Sequence, residues 1–296
     1  MIGRQTALER LHKSSISAKD IANQFWCEKQ MELYYTNGQK TTAQMDRGTQ
    51  LHETLQVEVF VPLTIEPASY ADRVYKTAYE NVAAVNTLME KSLARELRVY
   101  GSVNGYRLSG QIDELQLREG KVCIIENKTT DARRTLTSAY VLPHTVQVML
   151  YKKTLDEMRS GAYTYDNYAV SNRIKEMKMS EQFMNGLRGM NLKDEYMSLE
   201  GMLKRMFETM RGLPEISDSL EIHYIDRNTG KVGNELRVMY DKQLLGMQLV
   251  DALKYWNGER EARPVPEEDA WKCRICRFFG KECTVWYNKG SNASAR

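Results

Sequence analysis

The sequence predicts a mixed α/β fold, because a helical N-terminal third is followed by a block of strands and then by more helices. Residues 17–20 (SAKD) form a capping signal for a helix that runs towards Tyr35, and residues 71–96 contain neither Gly nor Pro and predict one long helix. Apolar and polar residues then alternate with period two, which predicts strands at 97–100, 106–117 and 122–126. A turn at 118–120 joins the last two strands as a hairpin.

The second half of the chain alternates between helical and hairpin patterns. A helix is predicted from about His144 to Met158, and residues 174–212 are predicted to be helical. That region holds 8 of the 16 methionines, which favours an adaptable core face, with a mobile cover over a binding channel as the alternative. A second hairpin at 221–226 and 235–240 precedes a helix that ends near Trp256.

The elements are predicted to form a single domain over residues 1–290. Its expected parts are a helical N-terminal part at about 14–96, a core at about 97–160, a helical region at about 160–212, and a hairpin, helix and cysteine cluster at about 220–287. Residues 291–296 are predicted to be a disordered tail.

Composition excludes several classes of protein. Hydrophobic residues make up 42% and charged residues 27% of the 296 residues, which excludes a disordered or collagen-like chain. No apolar run approaches the roughly 18 residues that span a bilayer, and the N-terminus lacks the layout of a secretory signal. We therefore expect an intracellular protein without membrane contact. Because the net charge is only +3, a nucleic-acid partner would need a local basic surface.

The cysteines are arranged in a pattern that indicates a metal centre. Cys273, Cys276 and Cys283 form C-x2-C-x6-C, and Cys27 stands alone near the N-terminus among aromatic residues. Two thiolates separated by two residues can reach one metal centre, and the third needs one more donor to complete a four-cysteine shell. Cys27 is the predicted donor, with an unligated Cys27 beside a local zinc or redox turn as the alternative. Cys123 lies in a predicted strand, as a small core residue.

Whether this centre holds zinc or an iron–sulfur cluster depends on how its ligands are distributed. Zinc sites usually gather their cysteines as two local pairs, so one ligand far from the other three favours a cluster. Spacing alone does not separate the two. In either case the centre would join the N- and C-terminal regions of the chain.

Two carboxylates on the central predicted hairpin are candidates for a divalent-metal site. Asp113 ends one strand segment and Glu126 ends the segment paired with it, so both can converge on one cation, with the backbone carbonyl of Asn127 nearby. Oxygen ligands of this kind suit Mg²⁺ or Mn²⁺. Lys128 follows Glu126 by two residues and projects from the same face of the strand. A metal beside an ammonium group is suited to phosphodiester hydrolysis.

Further residues extend this site. Gln147 and Tyr151 lie four apart on one predicted helix face, where they could bind a phosphate or orient Lys128, and His52 lies one turn into a predicted helix after Gly48. A basic path for single-stranded DNA is predicted from four side chains, with aromatic faces stacking on bases. These are Arg133, Arg134, Lys152 and Lys153.

Taken in order, the motifs carry a family resemblance. They are G-x3-H (48–52), G-x2-D (110–113), E-x-K (126–128), Q-x3-Y (147–151) and C-x2-C-x6-C with an early cysteine. This set resembles the RecB-like branch of the PD-(D/E)XK nucleases, and the cysteine layout is similar to that of its iron–sulfur members. The segments WKCRIC (271–276), YWNGERE (255–261) and IHYID (222–226) resemble the exonuclease V family in particular. The resemblance covers roughly residues 14–287, with Ile112 in place of the proline of the PD signature.

The resemblance implies a restriction-endonuclease-like core with helical additions, and a Mg²⁺- or Mn²⁺-dependent exonuclease that acts on single-stranded DNA. It implies His52, Asp113 and Glu126 as metal ligands, and Lys128 as the catalytic base or transition-state stabiliser. Gln147 and Tyr151 become supporting residues of the same site. The implied ligands of a [4Fe-4S] cluster are Cys27, Cys273, Cys276 and Cys283.

Two other functions fit part of the pattern. One is a CRISPR-associated RecB-like nuclease, which shares the motifs but is usually shorter. The other is a non-catalytic DNA-binding module with a structural four-cysteine zinc site, which the intact E-x-K and Q-x3-Y motifs disfavour. The enzyme is expected to act as a monomer, with a single-strand-binding protein as a candidate partner. In a eukaryote the expected compartment is the mitochondrion or the nucleus.

Overall fold

The structure is a computed structural model that describes residues 5–38, 63–131, 135–190 and 192–285. Its α-helices are α1 (Ala7–Arg10), α2 (Ala18–Thr36), α3 (Tyr70–Lys91), α4 (Ser138–Ser160), α5 (Tyr165–Asn172), α6 (Glu181–Arg188), α7 (Leu199–Arg211) and α8 (Lys242–Trp256). Short 3₁₀ helices occupy Ile174–Glu176, Asp194–Met197 and Glu267–Ile275. Within these ranges, no helix is both long and apolar enough to cross a bilayer.

Six strands of the described chain form one mixed sheet. They are β1 (Ile16–Ser17), β2 (Leu93–Val103), β3 (Tyr106–Arg118), β4 (Lys121–Thr130), β5 (Ser219–Asp226) and β6 (Val232–Met239). β3 pairs with β2 and β4 in the antiparallel direction, β4 pairs with β5 in parallel, and β5 and β6 form the second hairpin. The predicted mixed α/β class and the two predicted hairpins are therefore confirmed.

One edge of β3 is divided between two strands, and this division creates the space for a site. Because β2 occupies the opposite edge, β1 and β4 share the remaining one. β1 pairs in parallel with Leu108 and Ser109, whereas the β4 ladder covers β3 from Glu114 to Arg118. Of the described strands, neither β1 nor β4 pairs with residues 110–113, and a cleft opens beside them.

The boundary between α3 and β2 differs from the prediction. The long helix ends at Lys91 rather than at residue 96, because Ser92 adopts a left-handed conformation (φ 60°) that ends it, and β2 begins at Leu93. Leu93 to Arg95 pair with Gln116 to Glu114 of β3. This long-range pairing outweighs a local sequence that is compatible with a helix.

The methionine-rich region is helical, as predicted, but it is divided into several short elements. The described residues of 174–212 form two short 3₁₀ helices besides α6 and α7. The stripe on α7 does face the core, since Met202 is 2% exposed and Met206 and Met210 are fully buried. The interpretation of these three methionines as core residues is confirmed.

The N-terminal helix α2 is fastened to the C-terminal region by a polar network that involves no cysteine. The Arg260 guanidinium donates to both carboxylate oxygens of Glu28, which also accepts the Arg263 backbone N–H at 2.9 Å. One turn earlier, the Gln24 Oε1 accepts from the Trp256 indole N–H at 2.8 Å. Because Glu28 and Gln24 are buried, removing either partner would leave an unpaired polar group inside the protein.

Candidate active site

The two predicted metal-binding carboxylates lie where the edge of β3 divides. The β3–β4 ladder ends at the pair Glu114–Ile125, so Asp113 and Glu126 are the next residues on their strands. Asp113 Oδ2 accepts a 2.8 Å hydrogen bond from the Asn127 backbone N–H. Asp113, Glu126 and Asn127 all line one cleft of about 330 Å³. The hairpin thus gathers these three residues, as the sequence predicts.

Glu126 is the most buried member of the site, at 2% exposure. Its Oε1 accepts two hydrogen bonds, from Lys128 Nζ at 2.6 Å and from Gln147 Nε2 at 2.8 Å. Its Oε2 is buried and has no hydrogen-bond partner among the described residues. A buried carboxylate oxygen without a partner is costly, so it marks a position where a cation would fit.

Lys128 is held between acceptors on two elements. Its Nζ donates to Glu126 on β4 and to Gln147 Oε1 on α4, the latter at 3.0 Å. Burial alone would lower the pKa of Lys128, but the Glu126 and Asp113 carboxylates raise it, and the net shift is upward. The side chain is therefore a positively charged ammonium group within the cleft.

Helix α4 contributes the Gln147–Tyr151 pair. Gln147 Nε2 donates to the Tyr151 phenol oxygen at 2.7 Å as well as to Glu126, and both side chains are buried. Burial and the nearby Glu126 and Asp113 charges raise the pKa of Tyr151 well above its ordinary value, so the phenol is protonated at neutral pH. Gln147 therefore acts as a link that fixes Lys128, Glu126 and Tyr151 together.

Gly110 is required by the position of the Tyr151 ring. A Cβ at Gly110 would lie 2.7 Å from Tyr151 Cε1 and 2.9 Å from its Cδ1, closer than side-chain atoms pack. The glycine of the G-x2-D motif therefore lets helix α4 approach β3 closely enough to bring Gln147 and Tyr151 to the carboxylates.

Glu96 is a member of the cleft that sequence reasoning missed. In the register it lies opposite Asp113, because the flanking pairs are Arg95–Glu114 and Leu97–Ile112. Its backbone is in the left-handed region (φ 57°), which is unfavourable for Glu, and its Oε2 accepts from Gln111 Nε2 at 2.6 Å. A third carboxylate thus faces the cleft from β2.

His144 lies on α4 beside the site, in a group of aromatic rings. Its Nδ1 is 3.0 Å from the Tyr224 phenol oxygen, and its ring contacts Tyr140 at a centroid distance of 5.3 Å. Burial, together with the charge of Lys128, lowers the pKa of His144 to about 3. The imidazole is therefore neutral at physiological pH, and it packs against the Tyr140 and Tyr224 rings.

Several predicted site residues are not part of this geometry. His52, Arg133 and Arg134, like the predicted helix near Thr49 and the tail at 291–296, lie outside the described residues. Lys152 is buried and forms ion pairs with Asp156 and with Asp218. Lys153 forms an ion pair with Glu157 at 2.6 Å. Since both ammonium groups are already neutralised by carboxylates, their predicted role in DNA binding is not favoured.

The four predicted cluster ligands line one pocket. Cys27, Cys273, Cys276 and Cys283 surround it together with apolar residues such as Leu33, Val265 and Phe279. The four thiols are free of disulfide bonds. Burial raises the pKa of the Cys27 thiol, and the neighbouring Cys276 and Cys273 add to this rise. Cys123 lies on β4, outside this pocket.

Local structure turns Cys27 towards the C-terminal cysteines. Cys27 has an extended backbone (φ −170°, ψ 111°) inside α2, which interrupts the helical hydrogen bonds. The Lys29 N–H, freed by this interruption, donates to the Arg263 carbonyl at 3.0 Å. Gln30 donates to Cys27 Sγ from its backbone N–H and to Cys276 Sγ from its side chain. Two cysteines separated by almost the whole chain thus share one polar neighbour.

In the described part of the chain, no three His, Cys, Asp or Glu side chains are close enough to hold a metal ion as they stand. The carboxylate cleft has two predicted side-chain ligands in place, while the third, His52, lies outside the described residues. The four thiols line one pocket, and as they stand no three of them are arranged to hold a metal ion.

Comparison with known proteins assigns the class of this chain. The profile of the family described as Exonuclease V, a 5′ deoxyribonuclease, matches residues 6–121, 117–200 and 191–287. The chain therefore belongs to the Exonuclease V family, and it is a DNA exonuclease. This result confirms the resemblance drawn from the motifs. It also favours that family over a CRISPR-associated nuclease and over a non-catalytic module.

The individual proteins that match this chain share limited sequence identity with it. Exonuclease V of Danio rerio is 26% identical over 293 residues, which covers 94% of this chain and 72% of that protein. A crystal structure from Eubacterium rectale, described as a candidate exonuclease, covers 93% of this chain and 90% of its own at 12% identity, with a TM-score of 0.41.

Proposed function

We propose that this enzyme is a Mg²⁺- or Mn²⁺-dependent exonuclease of single-stranded DNA with a PD-(D/E)XK core and a structural [4Fe-4S] cluster. The catalytic part of this proposal rests on the buried Glu126 Oε2, which has no hydrogen-bond partner in the part of the chain that the structure describes and belongs to the cleft that Asp113 and Lys128 also line. A buried carboxylate whose other oxygen already accepts two hydrogen bonds has its remaining lone pairs directed to a cation.

The donor set of the cleft fits a hard divalent ion. Asp113, Glu126 and the carbonyl of Asn127 supply oxygen ligands only, which Mg²⁺ and Mn²⁺ prefer, and the sequence adds His52 as a fourth donor. A bound ion would supply positive charge to the scissile phosphate and acidify the attacking water. The side chains around it hold this arrangement in place before substrate arrives.

Lys128 has the role of a fixed positive charge beside the scissile phosphate. Its two hydrogen bonds to Glu126 and Gln147 hold the ammonium group, so little reorganisation is needed when charge develops on the phosphate oxygens. Gln147 is a positioning residue, because it contacts Lys128, Glu126 and Tyr151 at once. Tyr151 supplies a protonated phenol at the wall of the cleft.

The cysteine pocket fits a cluster better than a single zinc ion. Three of the thiols lie in the C-terminal segment and the fourth, Cys27, lies on α2, whereas zinc sites usually gather their cysteines as two local pairs. Gln30 donates to two of these sulfurs, as hydrogen-bond donors to cluster sulfurs commonly do. The proposed cluster has a structural role, because the cysteine pocket lies between α2 and the C-terminal segment and is separate from the carboxylate cleft.

Single-stranded DNA is the substrate that the residue content favours. The cleft and its surroundings offer guanidinium, ammonium and aromatic groups, which suit binding to phosphates and unpaired bases rather than the reading of base edges in a major groove. Binding of this kind neutralises phosphates and stacks on unpaired bases, with little preference for sequence.

The substrate prediction is tested with matched oligonucleotides. The enzyme is expected to degrade a 5′-labelled single strand in Mg²⁺ and to spare the same sequence as a blunt duplex, because duplex bases are not available for stacking. Chelation of the metal with EDTA should stop cleavage without unfolding the protein. Equal rates on the two substrates would reject single-strand specificity, and cleavage that persists in EDTA would reject the metal.

A Gly110→Ala substitution should reduce both stability and activity, because it displaces residues that position the active site. The new methyl group would displace the Tyr151 ring and, through it, Gln147, so we expect a loss of about 1–3 kcal/mol of stability. Turnover of single-stranded DNA should fall roughly 10- to 100-fold, since small displacements of positioning groups are costly.

The control for this variant is Gly246→Ala in α8, where an added Cβ meets no atom within 4 Å. Thermal unfolding and initial rates are measured for both variants. A Gly110→Ala protein with wild-type stability and turnover would show that the close approach of Tyr151 to β3 is not needed.

A further inference from the structure

A second cleft adjoins the catalytic one and shares Arg98 and Ser109 with it. It has a volume of about 320 Å³, and half of the residues that line it are arginines or tyrosines. We call it the arginine–tyrosine groove, after Arg73, Arg98, Arg107, Tyr70, Tyr100 and Tyr168.

The groove and the catalytic cleft lie along one face of the β2–β3 hairpin. Arg107, Ser109, Gln111 and Asp113 alternate along β3 and therefore project from the same face. The register places Tyr100 opposite Ser109. From Arg107 to Asp113 the strand advances about 20 Å at roughly 3.3 Å per residue. A strand of several nucleotides could therefore run from the groove into the cleft.

The three guanidinium groups of the groove are available to an anion. Among the described residues, no salt bridge involves Arg73, Arg98 or Arg107, in contrast to Lys152 and Lys153. The Glu80 carboxylate acts on Arg98 without forming a close ion pair with it, so three like charges gathered in one groove repel one another and the arrangement favours an anionic ligand.

Two of these arginines are also held in place by neutral partners. Arg107 donates to the Ser14 carbonyl at 2.6 and 3.0 Å and to the Asn172 side-chain oxygen. The backbone of Arg98 is fixed by Asn81, which accepts from its N–H and donates to its C=O, both at 2.9 Å. Neutral partners orient these residues and leave their charge for phosphates.

The aromatic side chains divide into a wall and one open face. Tyr168 is buried and packs on Tyr100, with ring centroids 4.8 Å apart, so this pair forms the wall. Tyr70 is 54% exposed at the start of α3, and the Arg73 guanidinium lies 5.6 Å from its ring centroid. An exposed phenol ring beside a cation is suited to stacking on an unpaired base.

We propose that the arginine–tyrosine groove binds the single-stranded DNA that extends away from the scissile phosphate. Arg73, Arg98 and Arg107 contact its phosphates, and a base stacks on Tyr70. This inference rests on the proposed function, since it assigns the path of that substrate outside the catalytic cleft. Arg98 lines both cavities and so marks the junction between the path and the reaction centre.

The first test is the salt dependence of binding. A fluorescent single-stranded oligonucleotide is titrated by anisotropy in Ca²⁺ at several salt concentrations, with the full-length protein and an Arg73→Ala/Arg98→Ala double variant. Each phosphate contact on a single strand contributes about 0.7 to the slope of log affinity against log salt, so losing two contacts should reduce the slope by about 1.4. Affinity at low salt should fall at least about tenfold.

Matched controls distinguish the effect of losing the groove arginines from the effect of losing positive charge elsewhere on the surface. The double variant Arg188→Ala/Arg227→Ala removes two exposed arginines outside the groove and should leave affinity and slope unchanged. Tyr70→Ala should weaken binding about five- to tenfold, at the low end of what one stacked base contributes, whereas Tyr70→Phe should retain it. Circular dichroism and melting curves establish that each variant is folded.

Photo-crosslinking locates the strand directly. An oligonucleotide that contains 4-thiothymidine is irradiated in complex with the full-length protein, and the modified peptides are mapped by mass spectrometry. Crosslinks to the segments 70–77 and 98–109 are expected. Crosslinks confined to the region of Lys152 and Lys153 would overturn the groove assignment.

The outcomes distinguish this inference from the function on which it rests. Wild-type protein that fails to cleave single-stranded DNA in Mg²⁺ would overturn the proposed function. If wild type cleaves normally while the Arg73→Ala/Arg98→Ala protein binds with the affinity and slope of the control, the groove assignment alone is overturned.

Discussion

Replacing Glu126 with Gln is expected to lower cleavage of single-stranded DNA by about 10²- to 10³-fold, while the protein stays folded and binds DNA as before. Glutamine keeps the shape of the side chain, and its amide oxygen can still accept from Lys128 Nζ and Gln147 Nε2. It removes the negative charge of Oε2, which accepts no hydrogen bond from the residues that the structure describes. The variant therefore isolates the charge that a metal ion requires.

Three measurements decide this prediction. Cleavage rates are compared in saturating Mg²⁺, binding is measured by anisotropy in Ca²⁺, and iron content is measured by atomic absorption. Glu215→Gln is a matched control, because the Glu215 side chain is exposed and forms a surface ion pair with Lys121. A Glu126→Gln enzyme that cleaves within about tenfold of wild type would remove Glu126 from the metal site.

The parts of the fold that could be predicted are those with local signals. The SAKD segment predicts the start of α2, and the structure shows the reason: Ser17 and Asp20 form reciprocal hydrogen bonds that cap the helix. The hairpin between β3 and β4 follows from its turn and its alternation. The end of α3 could not be predicted in this way, since Leu93 joins β2 by pairing with Gln116, a residue 23 positions away.

The residues of the candidate site likewise fall into those that local sequence signals predict and those that depend on long-range pairing. Asp113, Glu126 and Lys128 could be placed together because one hairpin carries them. Glu96 could not, because its position opposite Asp113 depends on the register of β2, and a left-handed glutamate has no sequence signal. The arginine–tyrosine groove was missed for a similar reason, since Arg73, Arg98 and Arg107 come from three different elements.

One misleading signal could have been recognised from the sequence. Lys152 and Lys153 look like a basic pair, yet Asp156 and Glu157 follow each of them at a spacing of four. On a helix this spacing places opposite charges next to each other, and the structure shows both ion pairs. A basic doublet within a helix is therefore weak evidence for a DNA path until its i+4 neighbours have been considered.

The second large effect is expected at the cysteine pocket, where α2 meets the C-terminal segment. Four thiols from two distant segments line one pocket, and α2 is interrupted at Cys27 to bring it there. A centre that joins Cys27 to Cys273 closes a loop of almost the whole chain, which constrains the unfolded state by about 5 kcal/mol. The binding energy of the centre adds to folding, because the unfolded chain does not hold a preformed site.

Cys27→Ala and Cys276→Ala are therefore expected to behave alike, with loss of the bound iron, lower solubility and a melting temperature lower by roughly 10–20 °C, as a loss near 5 kcal/mol implies. Cys123→Ala is the matched control, because Cys123 is a half-buried thiol on β4 outside the pocket, and it should keep both iron and stability. Iron and zinc content, the visible absorption near 400 nm of anaerobically purified protein, and thermal melting are measured for all three.

The Glu28–Arg260 contact should still hold α2 to the C-terminal region, so the apo variants are expected to retain secondary structure at low temperature. If the Cys27→Ala protein keeps the wild-type iron content while the Cys276→Ala protein has lost its iron, Cys27 is not the fourth ligand. If the wild-type protein contains zinc and no iron, the centre is a single-ion zinc site and the proposed cluster is wrong.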